Sequence, residues 1–147
     1  MDRTEIAAMN ATMTERVLGM PGTPVPDGGY ALRVLRTRGR RSGAPRSTPV
    51  GVVGRDGGEY VVSPVGTRDW VRNLRADPEC TLCSGEGSSE RRAVEPGAAE
   101  AGAVVVTYLR ALDQPWALQA FPVPAGASAD DVAVHLDTIA VFRLDGR

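Results

Sequence analysis

Two glycine-marked reversals, Asp56-Gly57-Gly58 and Gly85-Glu86-Gly87, each lie between short runs that read as strands. Glycine supplies the positive φ that tight hairpin turns need, so the flanking runs become antiparallel neighbours. Strands are expected over 48–54 and 59–63 around the first reversal, and over 79–84 and 89–95 around the second. Tyr30–Thr37 also alternates, with Tyr30, Leu32 and Val34 on one face. A sixth strand is expected over 138–144. No strand–helix–strand rhythm is present, which argues against a parallel sheet. Short strands with a few interspersed helices give an α+β protein built on an antiparallel barrel or sheet.

The helices have their own signals. Ile6, Met9, Met13 and Val17 recur three and four apart, which predicts a helix over 3–18 with one apolar stripe, stopped by Gly19 and Pro21. Residues 69–76 suit a short helix with Asp69 as its N-cap, ended by Asp77-Pro78. A longer helix is expected over 98–112, then a Pro-rich loop over 113–127. Ser128 and Asp131 resemble a capping arrangement that opens a further short helix. A chain of 147 residues can bury one sizeable core. One domain over 1–147 is expected: a helix within 1–20, barrel strands over 30–95, then a helix and closing strand over 98–147.

Charge is distributed unevenly. All 17 basic residues are arginine. From Gly28 to Arg55 there are seven arginines and no acid, a local +7, whereas the remainder sets ten arginines against 18 acids, or −8. The lysine-free, alanine-rich usage is that of a high-GC bacterial genome. The longest apolar run, 103–109, is too short for a bilayer, so no membrane span is expected. Asp2 and Glu5 do not suit a secretory leader, and a cytoplasmic location is the expectation.

Two segments carry candidate chemistry. In Gly39-Arg40-Arg41-Ser42-Gly43-Ala44-Pro45-Arg46, glycines allow close ligand approach, and Arg40, Arg41 and Arg46 offer planar donor forks for phosphate or carboxylate. Ser42 adds a hydroxyl, and turn amides can form an anion nest. A solvated basic hairpin turn is the plainer reading, but three uncompensated arginines favour anion binding. In the segment from Ser63 to Leu74, a strand end passes through Val65-Gly66-Thr67-Arg68-Asp69 into a helix start, where free amides favour an anion or a carbonyl. There Trp70 can cover a planar ring or anchor the helix, and Asn73 can bond a polar edge or cap a loop.

Other chemistries find little support. Cys80 and Cys83 lie three apart in a strand, so they face opposite ways, and no metal site is expected. His135 is the only histidine and sits on an amphipathic helix, which leaves no Ser–His–Asp triad. An enzyme built on this chain takes its chemistry from a cofactor.

The arginine turn together with Pro49, Asp56-Gly57-Gly58, Tyr60-Val61-Val62-Ser63 and Trp70-Val71-Arg72-Asn73-Leu74-Arg75-Ala76-Asp77-Pro78 resembles the deazaflavin-dependent nitroreductase family over about positions 30–95. The resemblance implies a mainly antiparallel, six-stranded split β-barrel that binds coenzyme F420. On matching positions, Arg40, Arg41, Ser42, Gly43 and Arg46 would hold the phosphate and oligoglutamate tail. Pro49, Val62, Ser63 and the loop Val65, Gly66, Thr67, Arg68 and Asp69 would line the deazaflavin, with Trp70 and Asn73 at its edge. Asp69 stands where members commonly carry an apolar residue. Members surround substrate with C-terminal aromatics; here Tyr108, Trp116 and Phe121 are available, and the proton would come from solvent or from Tyr108.

The implied activity is F420-dependent reduction of a small conjugated electrophile, such as a quinone or nitro compound, by hydride transfer. FMN in the same barrel, or a non-catalytic cofactor binder, remain alternatives. Nucleic acid is not an expected partner, since the acidic remainder and few aromatics do not make a broad basic stacking surface. Related barrels often pair, so a homodimer is a further expectation.

Overall fold

A computed structural model describes residues 2–146. The elements run α1 (Arg3–Leu18), β1 (Tyr30–Arg38), β2 (Pro45–Arg55), β3 (Gly58–Ser63), α2 (Asp69–Ala76), β4 (Glu79–Ser84), β5 (Gly87–Val94), α3 (Ala98–Ala111), α4 (Pro115–Leu118), α5 (Ala129–Ala133) and β6 (Ala140–Gly146). The six strands close into a barrel in the order β1-β2-β3-β6-β5-β4. Every ladder is antiparallel. Asp56 and Gly57 both take positive φ, 51° and 78°, and turn β2 into β3.

Strand alternation sorts the valines into two cores. Val52 and Val61 point into the barrel with Leu35, Leu82 and Phe142, where Trp70, Val71 and Leu74 of α2 close one mouth. Val53 and Val62 point outward and are covered by Val104, Val105 and Leu109 of α3. Each buried aliphatic side chain contributes about 1.5–3 kcal/mol relative to exposure. Cys80 belongs to the inner cluster, and Cys83 lies outside under Val17 of α1, so the two cysteine side chains do point opposite ways.

Several sequence expectations shift. Strand β2 starts at Pro45, three residues early, because proline lacks only the N–H that a strand's first residue can spare. Strand β6 starts at Ala140, since Thr138 is held in a turn by His135. The Pro-rich loop contains the single turn α4. Asp69 is not the N-cap of α2; Arg68 holds that position without a side-chain cap, and Asp69 opens the helix as an ion-pair partner. The capping box of Ser128 and Asp131 is present. Most instructive is α1: Asp2 caps it by accepting from the Glu5 N–H at 2.8 Å, but only Val17 of its stripe is buried. Ile6 and Met9 remain 45% and 55% exposed. Among the described residues, no helix is long and apolar enough to cross a membrane.

Candidate functional site

The arginine turn is stiff. Gly39 donates its N–H to the Ala44 carbonyl, Gly43 donates back to the Gly39 carbonyl, both at 2.8 Å, and the Ala44 N–H donates to Ser42 Oγ at 3.2 Å. Gly43 adopts φ +74°, a left-handed conformation that glycine takes without strain.

Asn73 fastens this turn to the barrel. Its Oδ1 accepts from the Arg40 N–H at 3.2 Å and from the Arg40 guanidinium at 2.9 Å. Its Nδ2 donates to Thr37 Oγ1 at 3.3 Å. Asn73 is 3% exposed, so its hydrogen-bonding capacity is spent on protein. The Arg40 guanidinium also reaches Asp69 at 3.3 Å, and Asp69 meets Arg3 at 3.2 Å. Arg40 is therefore neutralised. Arg41 and Arg46 are exposed, and neither makes a side-chain hydrogen bond or ion pair among the described residues.

Trp70 is 6% exposed and packs against Phe142, with ring centroids 6.2 Å apart. It anchors α2 in the barrel core. Ser63 is fully buried: its hydroxyl donates to the Val65 carbonyl at 2.7 Å and accepts the Val65 N–H at 3.3 Å. Val62 lies under α3. Gly66 donates its N–H to the Thr138 carbonyl at 2.7 Å, which pins the 65–69 loop to the start of β6. Val65, Thr67 and Arg68 face solvent.

The outer face of β1 and β2 is unevenly covered. The ladder pairs Tyr30 with Val53, Leu32 with Gly51 and Val34 with Pro49. Val53 is covered by α3 and Val34 by α1, whereas Leu32 stays 39% exposed beside Gly51. A Cβ on Gly51 would meet the Tyr30 ring at 3.4 Å and the Tyr108 hydroxyl at 3.5 Å. Tyr30 and Tyr108 therefore pack against the backbone at Gly51, next to the part-exposed Leu32. Tyr108 stands edge-on to Phe121 at 5.9 Å and to Tyr30 at 6.5 Å, and Tyr30 donates to Asp113 at 3.3 Å. Burial raises the Tyr108 phenol above its ordinary pKa, nearby Tyr30 adds to this, and the Arg68 charge opposes it. Arg68 is open to solvent, yet the surrounding protein desolvates its guanidinium and draws its pKa down.

Of the residues singled out from sequence, Arg41, Ser42, Gly43 and Arg46 gather at the turn, with Arg40, Asp69 and Asn73 forming its anchor beneath. Tyr108 and Phe121 come together, while Trp116 stands apart at 72% exposure. Sequence reading passed over Thr37, Tyr30 and Gly51. The lone glycine inside a valine-rich strand was the available signal, because such glycines mark close approach of another group.

A hairpin turn with two exposed arginines that have no carboxylate partner among the described residues, on a closed antiparallel barrel, is chemically suited to an anionic ligand. Residues 7–107 match the family model F420H(2)-dependent quinone reductase, and the chain belongs to that family. It is an F420-dependent oxidoreductase. No curated protein matches the chain in sequence. Among solved structures, F420-H2 dependent reductase FDR-A is 24% identical with TM-score 0.52, covering 84% of this chain and all of that one. A structure described as a domain-swapped dimer is 20% identical with TM-score 0.55, covering 98% of this chain and all of that one. A heme binding protein from Mycobacterium smegmatis is 16% identical with TM-score 0.54, covering 85% of this chain and 53% of that one. These three share the fold.

The donor set fits F420. Two exposed guanidinia without carboxylate partners among the described residues suit a phosphate and glutamyl carboxylates.

Proposed function

We propose that Arg41 and Arg46 hold the phosphate and oligoglutamate tail of F420, with Ser42 and the backbone at Gly43 completing the grip. Arg40, Asp69 and Asn73 position that turn from below. Pro49, Gly51 and the Val65–Arg68 loop line the ring's groove. Val62, Ser63 and Trp70 support this lining from inside the fold. The observation that carries this reading is the contrast between Arg40, neutralised by Asp69, and Arg41 and Arg46, left without carboxylate partners.

Bound F420 in its reduced form supplies a hydride. The chain's own contribution is to orient the two reactants and keep water from the reacting face. Leu32 and the aromatic edges of Tyr30, Tyr108 and Phe121 make the groove apolar, which suits a quinone-class acceptor. Trp116 is placed to cover an acceptor only if the 113–127 segment folds over the groove.

Cofactor fluorescence tests the assignment. Wild type binds F420, and the Arg41→Ala/Arg46→Ala double variant loses most of that affinity. A wild type that does not bind overturns the reading. We further propose that the chain pairs with a second copy through the exposed Ile6–Met9 stripe. The domain-swapped relative, similar over almost the whole chain, supports this. Light scattering coupled to gel filtration should give a dimer, and Ile6→Glu with Met9→Glu a monomer.

A further inference from the structure

We propose that Asp69 is a built-in counter-anion that limits how much negative charge the arginine turn accepts: its carboxylate occupies the fork of Arg40, so a bound tail is gripped by Arg41 and Arg46. The proposal rests on the turn as the grip for phosphate and glutamyl carboxylates, and adds the residue that sets its preference among tails of different charge.

The placement comes first. The Arg40 guanidinium divides its donors between two acceptors: Nη1 donates to Asn73 Oδ1 at 2.9 Å and Nη2 to Asp69 Oδ1 at 3.3 Å. The other oxygen of the same carboxylate, Oδ2, accepts from Arg3 Nη2 at 3.2 Å. One carboxylate thus sits between two guanidinia, as a phosphate or a glutamyl carboxylate would. The remaining ion pairs of α2 and its C-cap point elsewhere, Arg75 to Glu95 at 2.8 Å and Asp77 to Arg38 at 3.7 Å. Among the described residues, Asp69 is therefore the acid that acts on Arg40.

The two acceptors of Arg40 differ in kind. Asn73 is 3% exposed and also takes the Arg40 backbone N–H at 3.2 Å, so it keeps Arg40 in place whatever Asp69 does. The hydrogen bonds at Gly39 and Gly43 shape the turn itself. By contrast, the Asp69 side chain is 60% exposed and that of Arg3 88%. An ion pair this open to water adds little to stability. What Asp69 supplies is charge: it offsets one of the three arginines of the turn and repels an arriving anion at close range.

The consequence is a preference. A ligand with few negative charges is satisfied by Arg41 and Arg46, and Asp69 costs it little. Each further carboxylate must take Arg40 from Asp69 or stay in solvent. Wild-type affinity should therefore rise only weakly with the charge of the ligand, a discrimination made by a repulsive element and not by an added contact.

The test uses the full chain without cofactor, with inorganic phosphate, pyrophosphate and tripolyphosphate as probes of increasing charge, read by calorimetry at low salt. Asp69→Asn should bind tripolyphosphate about fivefold more tightly than wild type, and phosphate within about twofold of it. Arg3→Gln leaves Asp69 less compensated and should weaken tripolyphosphate binding about twofold. In an Arg40→Met background, the gain from Asp69→Asn should shrink to about twofold or less, because the fork it frees is gone. With F420, Asp69→Asn should favour long-tailed over short-tailed forms more than wild type does. An Asp69→Asn variant that binds tripolyphosphate no better than wild type, or more weakly as a purely positioning carboxylate requires, overturns the proposal. So does a gain that survives Arg40→Met undiminished. The polyphosphate arms need no cofactor, so a wild type that takes these anions but not F420 overturns the cofactor reading separately.

Discussion

At the hairpin mouth of the barrel, Arg91 meets Glu59 at 2.6 Å, Arg143 meets Glu100 at 3.0 Å and Asp145 at 2.8 Å, and Arg55 meets Asp56 at 3.1 Å. At the opposite mouth, closed by α2, Arg40 meets Asp69, but Arg41 and Arg46 meet no acid among the described residues. The hairpin mouth also holds a cavity of about 790 Å³, lined by Asp27, Glu59, Glu90 and Asp145 with a single arginine, Arg91. Volume alone would choose that cavity. Charge chooses the other mouth, because an acidic lining repels phosphate and carboxylate while unpaired guanidinia attract them. Where arginines have partners they hold strands together; where they lack them they are available to a ligand.

That contrast can be broken in order of expected effect. Trp70→Ala should cost about 3–5 kcal/mol of stability, read by denaturant unfolding, because it empties the core beneath the turn. Trp70→Phe should retain F420 binding, whereas a comparable loss of affinity in both would make the indole a cofactor contact. The Arg41→Ala/Arg46→Ala variant should lose about 3 kcal/mol of F420 affinity, roughly a hundredfold. Arg91→Met at the hairpin mouth should leave F420 affinity at the wild-type value.

Asn73→Ala should cost about 1–3 kcal/mol, since it strands the Arg40 amide and Thr37 without their partner. Its F420 affinity should fall as well, because the turn loses its anchor. A smaller effect is expected from acid. Glu100 is held below its ordinary carboxylate pKa chiefly by the Tyr60 hydrogen bond and then by Arg143, and Asp145 by its hydrogen bonds from Arg143. Folded values below the unfolded ones mean that this stabilisation is present above the ordinary carboxylate range and is lost as pH falls through the folded values. Thermal melts should show that loss in wild type, and a flatter acid limb in Arg143→Met. Val134→Thr should change unfolding stability least, within about 0.5 kcal/mol, because that residue is 73% exposed just after α5.

Much of this architecture was legible because local signals agreed with tertiary ones. The end of α2 follows from Asp77-Pro78, and the β2–β3 turn from Asp56-Gly57. The resemblance located the arginine turn, but which arginine is free depends on Asp69, 29 positions beyond Arg40, and that pairing is invisible along the chain. Helix α1 was legible, but what surrounds its stripe was not. Periodicity reports an apolar face without saying what covers it, and only Val17 reaches the barrel. The C-terminal aromatics were hardest to place: Tyr108 follows directly on the matched family segment, and Trp116 and Phe121 sit in a proline-rich stretch without periodicity.

The Asn73 side chain has a mechanical consequence. One amide ties the turn through Arg40, strand β1 through Thr37, and helix α2 through its own backbone, while Trp70 and Leu74 on that helix sit in the barrel core. A ligand pulling on Arg41 or Arg46 therefore loads the helix and the core together, as a hook loads the beam behind it. Occupancy of the turn should slow amide exchange along α2 and raise the melting temperature with the logarithm of ligand concentration, beyond saturation as well as below it. The grip and the lid of the barrel are one cooperative element.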